Sequence, residues 1–262
     1  MNSSEMKSPI KNLPVRVPGQ SIAKRMDDLL EGKVIESFLV VAMLWAGAFS
    51  TWLSVLIPKS HAHWLYSIAA VVATVWLLVR IRKVKKELKA LRAGRIGELV
   101  VGQFLEEQLR PHGFQVLHDL PAEGFNVDHV VIGPSGVFSI ETKTYSKPAK
   151  GNPSIKYDGE QIMVEGKGPY RDPVVQAKAE ASWVSELLVS STGRKFPVKP
   201  VLLFPGWFVE KIPSDCVVWV LNDKAAITFI KNAREHLSLE DISLITFHLK
   251  RYVNSESNKP AV

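Results

Sequence analysis

Residues 126–143 read NVDHVVIGPSGVFSIETK, and the way they pair decides the fold. Val127 to Ile132 and Val137 to Thr142 are apolar runs joined by Gly133-Pro134-Ser135-Gly136, a cluster of turn formers that predicts a β-hairpin. With a symmetric turn Ile132 meets Val137, so facing residues have numbers summing to 269, and Asp128 stands opposite Glu141. Opposed residues of an antiparallel pair share a face with Cβ atoms ~5 Å apart. Two carboxylates at that spacing repel unless positive charge lies between them, and a divalent cation is one such charge. Lys143 follows Glu141 by two positions, which in a strand sets its ammonium on the same face. Asp, Glu and Lys therefore converge.

On the N-terminal side, Ile96 to Leu109 has helical spacing with Glu98 in its first turn, Gly94 is expected to interrupt the chain before it, and Phe114 to His118 reads as a strand followed by a loop from Asp119 to Phe125. His129 alternates away from Asp128, toward a covering helix layer. On the C-terminal side, Ser154 to Val164 suggests a small hairpin around Asp158-Gly159. Asp172-Pro173 starts a helix as N-cap and N1 that runs to about Val189 and carries Gln176. Val198 to Phe204 and Val217 to Leu221 read as strands, with helices near 224–236 and 239–252 and a disordered tail at 254–262. Helices alternating with strands predict an α/β domain whose mixed sheet is flanked by helices, over residues 96–253.

The first third of the chain differs. Ser37 to Ile57 is a run of 21 residues without a charge, and Trp64 to Val79 adds 16 more, extended to Ile81 if Arg80 snorkels; a bilayer core needs about 20 apolar residues in a helix. Two transmembrane helices, about 37–57 and 64–81, are expected to form an antiparallel hairpin within 34–82, packed through the small residues Ala42, Ala46, Ser50 and Ser54 against Ala69 and Ala73. Residues 1–33 are expected to be a flexible cytoplasmic segment, with a short amphipathic helix from Ser21 to Leu30 lying on the membrane surface. The net charge of +7 invites a nucleic-acid reading, yet residues 1–95 hold 15 Lys+Arg against 6 Asp+Glu, while 96–262 hold 18 against 20. The basicity is mostly a membrane feature, concentrated in a basic juxtamembrane helix at 83–95; residues 80–95 could bind anionic lipid headgroups. Lys/Arg-rich flanks stay cytoplasmic, so both termini and the soluble domain are expected on the cytoplasmic side of a multi-pass inner-membrane protein. A lone Cys216 excludes an internal disulfide.

Asp on one strand and Glu-x-Lys on the next, here Asp128 and Glu141-Thr142-Lys143, resemble the core of the PD-(D/E)XK nucleases. With Gly94-Arg95-Ile96-Gly97-Glu98 ahead, Asp128 to Gly133, Gly136-Val137-Phe138 and the later Gln176, the stretch at about 94–205 looks like the nuclease-related domain, NERD. The resemblance implies a restriction-endonuclease-like fold and metal-dependent hydrolysis of DNA phosphodiesters. It implies Asp128 and Glu141 as ligands of Mg²⁺ (or Mn²⁺), Glu98 completing the metal shell, Lys143 orienting water and stabilising phosphate charge, and Gln176 positioning water or a phosphate oxygen. Lys143, Lys147, Lys150, Lys156, Lys167 and Arg171 offer a local basic patch for DNA. Each site residue also has an ordinary explanation: Glu98 suits a helix N-terminus, Glu141 and Lys143 suit a solvated strand face, and Gln176 suits a helix surface. The alternative from a different class is a catalytically silent nucleic-acid-binding or signalling module of the same fold tethered to the membrane.

Overall fold

A computed structural model describes residues 16–53, 62–147, 154–165, 168, 173–210 and 216–257. The expected flexibility of residues 1–15, the Asp172 cap and the tail beyond 257 lie outside them, as do Ser54, Lys150, Lys167 and Arg171. The chain forms two compact units, one of residues 21–95 and one of residues 1–20 with 96–262.

Along the chain, α1 (Gln20–Asp28) passes through a π-helical stretch, Leu29–Ile35, into α2 (Glu36–Leu53), and α3 (Ala62–Leu109) follows, its residues from Ile96 onward belonging to the second unit. Two helices are long and apolar enough to cross a membrane by length and composition. Trp45 Nε1 donates to Thr74 Oγ1 at 2.9 Å and Trp52 Nε1 to Ser67 Oγ at 3.0 Å; as 45 rises to 52, its partner falls from 74 to 67, so α2 and α3 run antiparallel. Their seam differs from the expected stripe. Ala42, Ala46, Ser50 and Ala69 are exposed, whereas Val41, Ala48, Ala70 and Leu77 are buried, because the two indole donors each select a hydroxyl partner and thereby set the rotation of both helices. The chain through α1 also makes contacts with α3. Ile22 Cδ1 comes within 3.7 Å of the Cβ position of Gly94, and Glu87 pairs with Arg25 and Lys33 at 3.8 and 3.7 Å.

Gly94 does not interrupt α3, which is helical through all 48 residues. One glycine in a helix interior costs only ~1 kcal/mol against Ala, less than the packing around it supplies.

In the other unit, β1 (Gln115–Ala122), β2 (Phe125–Gly133), β3 (Gly136–Thr142), β6 (Val198–Leu203) and β8 (Trp219–Leu221) form a five-stranded sheet in that order. The first three are antiparallel; β6 and β8 join in parallel. A three-stranded sheet, β5 (Ile162–Val164), β4 (Ser154–Tyr157) and β7 (Phe208–Val209), stands beside it. One face of the main sheet is covered by Val101, Leu105 and Leu109 of α3 and by Ala226, Ile227 and Ile230 of α5 (Asp223–Asn232). The other is covered by Val184 and Leu188 of α4 (Pro173–Thr192) and by Ile242, Ile245 and Leu249 of α6 (Leu239–Ser257). The sheet is mixed and flanked by helices, as expected.

The segment Asp119–Phe125 is not a loop: β1 continues to Ala122 and turns at Glu123-Gly124. Pro121 is tolerated because β1 is an edge strand. The helix α6 extends five residues past the expected end, to Ser257, held in part by Tyr252 Oη donating to Pro121 O at 2.9 Å.

His129 faces the helix layer and is fully buried. His118 Nε2 lies 3.0 Å from Glu106 Oε1, and His118 Nδ1 lies 2.9 Å from His129 Nδ1. A carboxylate only accepts, so His118 donates from Nε2, its Nδ1 accepts from His129, and His129 Nε2 is left a buried acceptor without a partner among the described residues. Burial lowers both imidazoles, His129 well below the ordinary value because His118 adds repulsion, while Glu106 partly offsets the effect at His118. The folded state thus favours neutral rings, and the unfolded chain takes up protons first. The stability contributed by the neutral rings is lost as pH drops below the unfolded value of 6.5, opposite in sign to the contribution of the buried acids, so the difference in unfolding midpoint between His129→Gln and the parent protein should shift in favour of the variant from about pH 6.5 to 5. A difference that stays constant over this range would remove this assignment.

Candidate functional site

The observed β2/β3 ladder pairs Ile132 with Val137 and His129 with Ile140, the register with the sum of 269. One step further, Asp128 faces Glu141, and instead of a ladder bond the Asp128 carboxylate accepts the Thr142 backbone N–H at 2.8 Å. The β1/β2 ladder pairs His118 with His129 and Leu120 with Val127 but lapses between them, where Asp119 faces Asp128. Asp119 sits there at φ 51°, left-handed backbone that Asp tolerates better than most residues. The register therefore aligns Asp119, Asp128 and Glu141 across three strands.

Cations stand at both ends of this row. The Lys143 ammonium donates to Glu141 Oε1 and to Gln176 Oε1 at 3.0 Å, and its backbone N–H donates to Leu203 O at 2.8 Å. Pairing with β6 thus fixes Lys143 even though it lies beyond the last residue of β3. Arg16 Nη1 lies 3.2 Å from the Asp119 carboxylate at the other end. Gln176, in the first turn of α4, donates from Nε2 to Glu141 Oε1 and to Glu180 Oε1, both at 2.8 Å. Gly97 of α3 abuts Thr144: an added Cβ would overlap Thr144 Oγ1. This close approach brings Glu98 to the cluster.

The acids are crowded. Glu98 is pushed up to about 8 by burial and by the charges of Asp119 and Glu141. Asp128 is raised well above the ordinary carboxyl range by burial, Glu141 and Glu98, despite the Thr142 hydrogen bond. Glu180 rises to about 9 through burial and Glu141. For Lys143 burial favours the neutral amine, but Glu141, Asp128 and Glu180 together outweigh it, and the ammonium is held more firmly than usual. Glu141 Oε2 and Glu180 Oε2 are buried with no hydrogen-bond partner among the described residues. The arrangement can therefore accept positive charge.

Asp128, Glu141, Lys143 and Gln176 are brought together as expected, and Glu98 lies within their electrostatic reach. Yet among the described residues no three His, Cys, Asp or Glu side chains are grouped as ligands of one metal ion. The three-carboxylate shell of Asp128, Glu141 and Glu98 is thus not closed, since Asp128 and Glu141 already accept from Thr142, Lys143 and Gln176. Glu180 was legible as one helical turn past Gln176; Asp119, expected in a loop, carried no signal. Tyr145 also belongs here, its phenol raised by burial and by Glu141, with Lys143 opposing.

Residues 93–205 match the family described as the nuclease-related domain, NERD. No curated protein and no solved structure matches the chain.

Proposed function

We propose, from the premise that residues 93–205 of this chain are a nuclease-related domain with a restriction-endonuclease-like fold, that it is a membrane-anchored, metal-dependent nuclease. It would hydrolyse DNA phosphodiesters at the cytoplasmic membrane face. The observation that carries this reading is the opposed pair Asp128 and Glu141 with Lys143 bonded to Glu141.

The donor set fits Mg²⁺ or Mn²⁺: all oxygen, one Glu141 oxygen without a partner among the described residues, and neighbouring acids raised by burial and by one another's charge. Mg²⁺ commonly takes one or two carboxylates and fills its remaining positions with water and substrate phosphate, so an unclosed three-acid shell is no obstacle. Asp128 and Glu141 would hold the ion, with Glu98 as an outer acid. The ion would supply Lewis acidity toward the phosphate and acidify a bound water. Lys143, firmly protonated, suits charge stabilisation at the phosphate and orientation of the water, not proton abstraction. Gln176, spending both amide hydrogens on Glu141 and Glu180, fixes the carboxylate rotamer that faces Lys143. The helices α2 and α3 would be the anchor, and Lys143, Lys147 and Lys156 the described part of a DNA-facing patch.

The test is cleavage of plasmid and single-stranded DNA by the full chain in detergent or nanodiscs. Activity is expected with Mg²⁺ or Mn²⁺ and is abolished by EDTA. The engaged state of Glu141 favours a second reading, a silent nucleic-acid-binding module. DNA binding without cleavage, and without Mn²⁺ binding by calorimetry, would establish that reading instead.

A further inference from the structure

The segment just ahead of α1 was expected to be free, and its described part is docked. Val17-Pro18-Gly19-Gln20 is a turn with Gln20 N–H donating to Val17 O at 3.3 Å and Gly19 at φ 69°, the pattern of Pro then Gly in a type II turn. Such a turn leaves the Gly N–H free to point outward, and that of Gly19 acts on Glu98 in the direction that favours its carboxylate. Pro18 fits against Gly102, where a Cβ would lie 2.7 Å from its Cγ. Arg16 Nη1 reaches both the Asp119 carbonyl and its carboxylate at 3.2 Å, and Nε donates to Ser257 Oγ at 3.3 Å. Asp119 is almost wholly buried in left-handed backbone.

We infer that Arg16 and Gly19 are positioning residues of the site: an N-terminal strap, remote in sequence from the nuclease-related domain, that holds Asp119 and Glu98 in place around Asp128. Lys143 supplies the cation at one end of the row of acids; Arg16 supplies it at the other. Without Arg16, the buried Asp119 loses the cation at its carboxylate and the donor at its carbonyl, and the strand segment opposite Asp128 loses that tie. This inference rests on the nuclease reading for its kinetic consequence and on geometry alone for the docking.

The test uses the full chain in detergent, with amide hydrogen exchange at Thr142, whose N–H is bonded to Asp128, as a reporter independent of activity. Arg16→Ala is expected to speed exchange at Asp119 and Thr142 and to lower kcat roughly 10- to 100-fold with KM for DNA unchanged. Arg16→Lys should restore part of both. Gly102→Ala, whose added carbon overlaps Pro18 Cγ at 2.7 Å while lying 3.3 Å from the His118 and His129 rings, should reproduce the pattern. Exchange at Thr142 unaffected by Arg16→Ala overturns the inference. So does faster exchange confined to residues 16–20 and 119–122 with kcat unchanged, since the strap would then be structural only. If the parent protein cleaves no DNA, the nuclease reading fails by itself, and the Thr142 exchange still decides whether the strap positions the row.

Discussion

Glu141→Gln is expected to lower metal-dependent cleavage by about 10²–10³ or more while making the apoprotein less sensitive to alkaline pH. Both effects have one cause. Glu141 is the acid whose charge raises Glu98, Asp128 and Glu180 together, and one of its oxygens is buried without a partner. Glu98 and Glu180 titrate from 4.5 unfolded to about 8 and about 9 folded. The folded state therefore holds protons that the unfolded chain has released, and apoprotein stability should fall as pH rises from about 4.5 to about 8–9. Removing the Glu141 charge lowers the neighbouring values and flattens that slope, at the expense of the group proposed to hold the metal, as is common where strain is stored at a functional site. Thermal midpoints of both proteins between pH 5 and 9, with and without Mn²⁺, check this. An equal slope in the variant, or retained cleavage, would show that Glu141 is not the centre of the cluster.

Gly97→Ala should damage the protein where Gly94→Ala should not, although both glycines lie in the same helix three residues apart. At Gly97 the added carbon overlaps Thr144 Oγ1 and stands 3.0 Å from its Cβ and 3.1 Å from its Cγ2, so rotating the threonine does not clear it. The helix must withdraw from the segment that follows Lys143, taking Glu98 with it. Overpacking of this kind costs about 1–3 kcal/mol, and a displacement approaching 1 Å at a reacting centre can cost about 10²-fold in rate. At Gly94 the nearest atom, Ile22 Cδ1, is at 3.7 Å, ordinary contact, and Ala in place of Gly favours the helix by up to ~1 kcal/mol. Thermal melts and kcat of the two variants give the comparison. A Gly97→Ala protein with parental midpoint and rate would mean that the helix and Thr144 do not set the site.

The hairpin at the centre of the candidate site was readable because the information is local. Strand alternation and a four-residue turn cluster suffice to set the register of β2 on β3, so the opposition of Asp128 and Glu141 and the approach of Lys143 follow from residues 126–143 alone. Hydropathy likewise gave two apolar helices, since their length is written in one uninterrupted run each. What required the tertiary structure depends on residues far apart in the chain. Whether Gly94 breaks a helix was decided by packing that outweighs its propensity. Which face of α2 meets α3 was decided by two indole hydrogen bonds to Thr74 and Ser67. The third acid of the row, Asp119, became visible only when β1 was found to run past it, and its cation comes from Arg16, 103 residues away. Sequence by itself determined the hairpin, its paired acids and their lysine; only the folded chain decided how that charge is balanced, because electrostatic compensation acts through space and is indifferent to sequence separation.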